Sequence, residues 1–242
     1  MQNVLIFDIE TSPNLAYVWA KYEQNVLAFE KERELICFAY KWLGQKSVKA
    51  HSINEMTEKE LVTQLHDLFD KADIVIAHNG DNFDIKMANA FFIKQGLNPP
   101  SPYKSIDTLK IARSKFKFNS NKLNDLGDYL ELGQKVETGG FKLWLDCLKG
   151  DQKAWAKMIK YNKQDVTLLE AVYNKLSPWG KTPPINRGMN CPNCNSDNLQ
   201  KRGWNINLVS MSQRFQCMSC GKWCSSNRKI KHQHKEYLKQ NV

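Results

Sequence analysis

A chain of 242 residues, 42% of them apolar, can bury one substantial core and carry a small appendage, and no apolar run in it is long enough to span a membrane. Its first residues enter a strand pattern directly, with no basic start and cleavable apolar segment, which speaks against a secretory signal. The net charge of +10 is uneven: residues 1–180 hold 24 Lys+Arg against 23 Asp+Glu, whereas residues 181–242 hold 11 against two. A compact basic segment fits a polyanion partner such as nucleic acid, and it fits a solvated tail; charge alone leaves both open. Seven cysteines, four of them in two close pairs, point to metal rather than disulfides and to a reducing, cytoplasmic compartment.

Residues 2–9, 34–43 and 46–52 read as three strands rich in Val, Ile, Leu, Phe and Tyr, with breaks that suit an antiparallel meander. Residues 57–71 read as a helix, because Thr57 and Glu60 form a capping box and Leu61, Leu65, Leu68 and Phe69 share one face. DIVIAH, 73–78, is a short buried strand, and a helix follows from about 82 to 95, ended by Gly96, Pro99 and Pro100. SIDTLKIAR, 105–113, reads as a strand running into a helix, and residues 121–132 and 152–176 read as helices. Strands first, then helix and strand alternating, predict a mixed α/β domain over 1–177. Residues 178–190, with three Pro and two Gly, read as a linker before a Cys-rich module at 191–228 and a basic tail at 229–242.

Asp8 and Glu10 end the first strand, VLIFDIET. Side chains two apart on a strand point the same way, so both carboxylates can converge on one ion. HNGDNFD, 78–84, follows the inner strand, where ligand sites of α/β sheets collect. It supplies Asp84, while Asp81 reads as a helix cap. In YNKQD, 161–165, Tyr161 and Asp165 share a helix face.

Three motifs in this order, D-x-E, N-x-x-x-F-D and Y-x-x-x-D, resemble the DEDD superfamily of 3′–5′ exonucleases in its tyrosine-bearing branch, over about residues 2–176. IDTLKIAR and LNDLGDYLEL look like connecting segments of that family. The resemblance implies a ribonuclease H-like mixed sheet flanked by helices, similar to the proofreading domains of family B DNA polymerases. It implies that Asp8, Glu10, Asp84 and Asp165 hold two Mg²⁺ or Mn²⁺ ions, hard cations that prefer oxygen ligands. By the same resemblance Asp8 bridges the ions, Glu10 and Asp165 support the one near the attacking water, Asp84 serves the other, and Tyr161 orients the water. Thr11, Asn79 and Phe83 are its candidate substrate contacts, although Thr11 also reads as a strand end and Phe83 as core filler. The expected function is 3′–5′ hydrolysis of nucleic acid, with DNA ahead of RNA. An RNA-trimming exonuclease, a structure-specific endonuclease on the same fold, and a non-catalytic nucleic-acid binding protein stay open.

CPNC, 191–194, and CMSC, 217–220, each place two sulfurs on a turn, and two such turns complete a tetrahedral Zn²⁺ site from Cys191, Cys194, Cys217 and Cys220. The module resembles the zinc ribbons of nucleic-acid enzymes. Four thiolates leave no open position, so the expected zinc is structural. Cys224 is a rival for Cys220, Cys37 and Cys147 read as core thiols, and His232 and His234 as surface residues. Lys201, Arg202 and Arg214 are candidate phosphate contacts, joined by Lys222 and Trp223 in a basic and aromatic mixture; Trp204 and Phe215 read as ribbon core.

Overall fold

The computed structural model describes residues 3–22, 25–133, 138–180, 190–206 and 210–231. The chain divides into two compact units, Gln2–Leu176 and Ser177–Val242. In the first, β1 (Val4–Thr11) is followed by β2 (Leu15–Tyr17), β3 (Ala28–Lys31), β4 (Leu35–Trp42) and β5 (Lys49–Ser52). Then come α1 (Glu58–Lys71), β6 (Ile74–Ala77), α2 (Asp84–Lys94), β7 (Lys104–Asp107), α3 (Thr108–Lys115), α4 (Leu123–Tyr129), α5 (Lys142–Leu148) and α6 (Gln152–Leu176).

Five strands form one mixed sheet in the order β5-β4-β1-β6-β7. The β1–β4 and β4–β5 pairs are antiparallel, and β6 and β7 join in parallel on the other side of β1. Strands buried on both faces read as continuous apolar runs, as VLIF and LICFA do here. Phe7 meets Phe69 of α1 edge-on at 4.9 Å, and Leu5, Phe38, Leu61 and Leu65 are fully buried around them. The capping box of α1 is present: Thr57 Oγ1 accepts from the Glu60 N–H, and Glu60 Oε2 accepts from the Thr57 N–H at 2.8 Å.

The expected meander strands are neighbours in the sheet, but the ribbon β2–β3 is inserted between the first two. Its strands are only three and four residues long and expose every residue but the half-buried Ala16, with Trp19 between them 84% exposed, so they are too short and open for a period-two pattern to mark them. The short helix α5 was also unmarked; it has no side-chain cap and spans only two turns.

α6 is one continuous helix. Its buried stripe, spaced three and four residues apart, runs through Trp155, Met158, Asn162, Asp165, Leu169, Val172 and Leu176. Lys41, only 7% exposed on β4, pairs with Glu170 at 2.6 Å and ties α6 to the sheet.

In the second unit β8 (Leu199–Ile206), β9 (Ser210–Cys217) and β10 (Trp223–Lys231) form an antiparallel sheet in the order β10-β9-β8. Most of the expected linker and of the basic tail, with His232 and His234, lies outside the described residues. Among the described residues, no helix is long and apolar enough to cross a membrane.

Candidate active site

β1 pairs with β6 only from Val4 to Ile6, while its pairing with β4 continues to Thr11. The sheet therefore opens beside the second half of β1. Asp84, the first residue of α2, fills the opening: its Oδ1 accepts from the Ile9 N–H at 3.3 Å. A bulge between Glu10 and Thr11 ends the regular ladder, and bulges of this kind re-aim side chains next to functional sites.

One ligand oxygen from each of Asp8, Glu10 and Asp165 falls within 4.8 Å of the others. Asp84 stands outside this tight group, yet among the surrounding charges it acts most strongly on Asp8. Burial first, then the charges of Asp84, Glu10 and Asp165, hold Asp8 well above the usual carboxylate range. Burial and the charges of Asp165 and Asp84 push Glu10 up to about 8, against a hydrogen bond from Trp144 that pulls the other way. Burial raises Asp84 to about 7 although it accepts the Ile9 N–H. Such a cluster is costly as four anions and is satisfied by cations, so the donor set fits hard divalent metal.

These shifts give the metal-free protein a defined pH dependence. Unfolded carboxylates lose their protons near pH 4. Folded Glu10 and Asp84 keep theirs to about 8 and about 7. Between those limits the folded chain binds more protons, so stability falls as pH rises from about 4.5 to about 8. Thermal midpoints in chelator should drop by several degrees across that window, and excess Mg²⁺ should flatten the slope. A midpoint that climbs with pH in chelator would contradict the cluster.

Tyr161 lies one helical turn before Asp165 and is hydrogen-bonded to it. Burial foremost, then the charges of Asp165 and Glu10, push its phenol far above its ordinary value. Its ring meets Trp144 of α5 edge-on at 6.3 Å. Trp144 thus touches both Glu10 and Tyr161, and sequence reasoning missed it because α5 itself was not read.

The HNGD turn is held by Asp107, another residue not singled out. Its Oδ1 accepts from the Asn79 and Leu109 N–H groups, each at 2.9 Å, so one carboxylate caps α3 and pins the turn. An Asp at the junction of a strand and a helix was the available signal. Asn79 adopts φ 63° and is half-buried. Phe83 is half-buried against the main core, closer to filler than to an open contact. Asp81, expected as a cap, instead pairs with Lys110 at 2.5 Å. Asn162, fully buried beside Asp8, is the third residue that motif reading passed over.

In the second unit the four CxxC sulfurs form one group. Cys191 and Cys220 sulfurs are 3.7 Å apart, and Cys194 and Cys217 sulfurs 3.6 Å. Zn–S bonds of about 2.3 Å in a tetrahedron place sulfurs about 3.8 Å apart, so these cysteines fit zinc. Cys224 is outside the group. Lys201, Arg202 and Arg214 are exposed. Arg214 donates to the Arg202 carbonyl at 3.0 Å and lies 5.1 Å over the Trp223 ring, which steadies its guanidinium. Trp204, expected in the ribbon core, is 42% exposed, because among the described residues no second layer covers this three-stranded sheet.

A mixed five-stranded sheet whose first strand ends in clustered carboxylates, completed by a late helix, defines an α/β protein built around an acidic centre whose donors fit hard cations. The family model of the RNase H superfamily matches residues 5–177, and the chain belongs to that superfamily. A DNA polymerase III of the PolC type from Ureaplasma parvum serovar 3 (strain ATCC 700970) is 42% identical over 124 residues. That stretch is 51% of this chain but 8% of the polymerase, so the chain spans a small fraction of that relative's length.

Proposed function

We propose that the protein is a metal-dependent 3′–5′ exonuclease of the tyrosine-bearing DEDD type, hydrolysing phosphodiester bonds with DNA preferred over RNA. The observation that carries this reading is the convergence of Asp8, Glu10 and Asp165 within 4.8 Å, with Asp84 acting on the same group. Superfamily membership supports nuclease chemistry, and the tyrosine motif and the polymerase relative support DNA.

Asp8, Glu10, Asp84 and Asp165 would hold two divalent cations, which when bound supply Lewis-acid stabilisation of the charge that develops on the phosphate and make an attacking water more acidic. The chain's own residues do the rest. Trp144 and Asn162 hold the Glu10 and Asp8 carboxylates from behind. Tyr161, protonated at neutral pH because burial raises its phenol, serves as a donor that orients water and not as a base. Thr11, next to Glu10, and Asn79, in the turn before Asp84, are the proposed contacts to the terminal nucleotide, while Phe83 packs against the core. In the second unit, Cys191, Cys194, Cys217 and Cys220 hold a structural Zn²⁺, and Lys201, Arg202 and Arg214 meet phosphates.

Incubation with Mg²⁺ and 5′-labelled single-stranded DNA, duplex DNA and RNA tests the reading. A ladder shortening from the 3′ end supports it; discrete internal cuts would indicate an endonuclease, and no products a binding module. Tyr161→Phe should lower the single-turnover rate by about 10²-fold or less, the low end for a positioned donor. Asp165→Ala should cost more, since it removes a cation ligand. A harmless Asp165→Ala beside a dead Tyr161→Phe would reverse these roles.

A further inference from the structure

Two polar side chains interrupt the buried stripe of α6. Asp165 is accounted for by the acidic centre; Asn162 is not a candidate ligand, yet it is fully buried. A buried amide is costly unless both its ends are bonded. Both are. Nδ2 donates to Asp8 Oδ2 at 2.7 Å and lies 3.3 Å from the Asp8 carbonyl. Oδ1 accepts from the Cys37 thiol at 3.8 Å. Cys37 is fully buried on β4, directly opposite Glu10 in the ladder.

The Asp8 carbonyl, and its carboxylate when ionised, only accept, and a buried thiol keeps its proton and donates. The two neighbours therefore fix which way round the amide sits. Cys37 holds the amide, the amide holds Asp8, and the connection runs from the sheet through α6 to an acid that feels the other three.

We propose that Asn162, braced by Cys37, is a positioning residue of the acidic centre: it locks the Asp8 carboxylate in the one orientation that cations require. The inference rests on the metal-dependent reading above. With Oδ2 engaged, the carboxylate cannot swing, and the cluster is arranged before any cation arrives. Residues that orient ligands from behind in this way commonly carry 10- to 100-fold in metal affinity.

Mn²⁺ titration calorimetry on the full chain tests this, alongside steady-state kinetics on a short single-stranded oligonucleotide. Asn162→Ala should weaken Mn²⁺ binding by about 10- to 100-fold. It should lower kcat while moving KM by less than about twofold, because substrate contacts are untouched. Cys37→Ala keeps the amide but frees it, so its loss should be smaller. Cys37→Ser restores a donor and should recover the larger part of that loss. If Asn162→Ala does not fold, the two Cys37 variants decide the matter. Folded variants with lowered thermal midpoints but parental Mn²⁺ affinity would reduce Asn162 to a packing role and overturn the proposal. Asp8→Ala separates the two levels of inference. If it too binds Mn²⁺ like the parent, the metal-dependent reading has failed. If it alone loses Mn²⁺, only the positioning role has.

Discussion

Asp8→Ala should abolish cleavage and leave the fold intact; in chelator near pH 8, the variant should be as stable as the parent or more so. Two effects of opposite sign meet at this position. Truncation removes an anion whose protonation is pushed far up by burial, and by Asp84, Glu10 and Asp165. Removing that anion relieves both the burial of a charge and its repulsion, and the relief is largest where the neighbouring acids are ionised. Against it, the Asn162 Nδ2 loses its 2.7 Å acceptor, which costs about 1 kcal/mol or more for a buried donor. Relief should therefore match or exceed the loss at high pH. At about pH 5 Glu10 and Asp84 already keep their protons, the relief shrinks, and the variant should become the less stable protein. Activity follows a different logic, because Asp8 feels the charges of all three other acids and no neighbour is placed to replace its oxygen. Turnover in Mg²⁺ and thermal midpoints in chelator at both pH values are the readouts. Parental turnover in Asp8→Ala would end the two-cation proposal.

What could be read in advance depended on whether a feature is periodic or only spatial. The apolar runs of β1 and β4, the Thr57–Glu60 box and the long stripe of α6 are local patterns, and they lie where periodicity placed them. D-x-E and Y-x-x-x-D carry their own geometry, since strand and helix periods dictate which side chains share a face. The ribbon β2–β3 has neither signal: its strands are three and four residues long, and every residue in them but the half-buried Ala16 is exposed. Trp144 and Asp107 act through partners 134 and 28 residues away, distances that no local pattern encodes. Asn162 was legible in part. An amide at a core position of an amphipathic helix, between Met158 and Val166, is an anomaly worth a functional question. The adjacent Tyr161 drew attention because it fits a motif, whereas Asn162 fits only a burial argument. The opening of the sheet after Ile6, which makes room for Asp84, follows from pairing lengths that emerge only in three dimensions.

Removing zinc should collapse the second unit and leave the first standing. Among the described residues of that unit's three-stranded sheet and CxxC turns, the buried side chains are Cys191, Cys217, Ser210 and Ser212. Two cysteines and two serines make no apolar core, so the proposed zinc centre is itself the core. A segment this small needs such a staple, and structural zinc contributes about 10–16 kcal/mol of apparent folding free energy in comparable modules. Cys191→Ser, or chelation strong enough to strip thiolate zinc, should melt this sheet while residues 2–176 unfold at their parental midpoint. The consequence for binding comes from charge. Residues 181–242 carry 11 Lys+Arg against two Asp+Glu, so most of the chain's attraction for polyanions lies there, while all four acids lie before residue 166. A chain shortened after Ser177 should still cleave short substrates at saturation but hold long ones more weakly. Its log K should vary less steeply with log[salt], by about 0.7 to 0.9 for each phosphate that is no longer neutralised. Cys191→Ser should fall between the parent and the shortened chain, because an unfolded ribbon keeps its charges and loses only their arrangement. Anisotropy titrations at several salt concentrations give affinity and slope together, and metal analysis of the purified protein gives the zinc content. If shortening changes neither affinity nor slope, the second unit does not grip nucleic acid, and its basic surface serves another macromolecule.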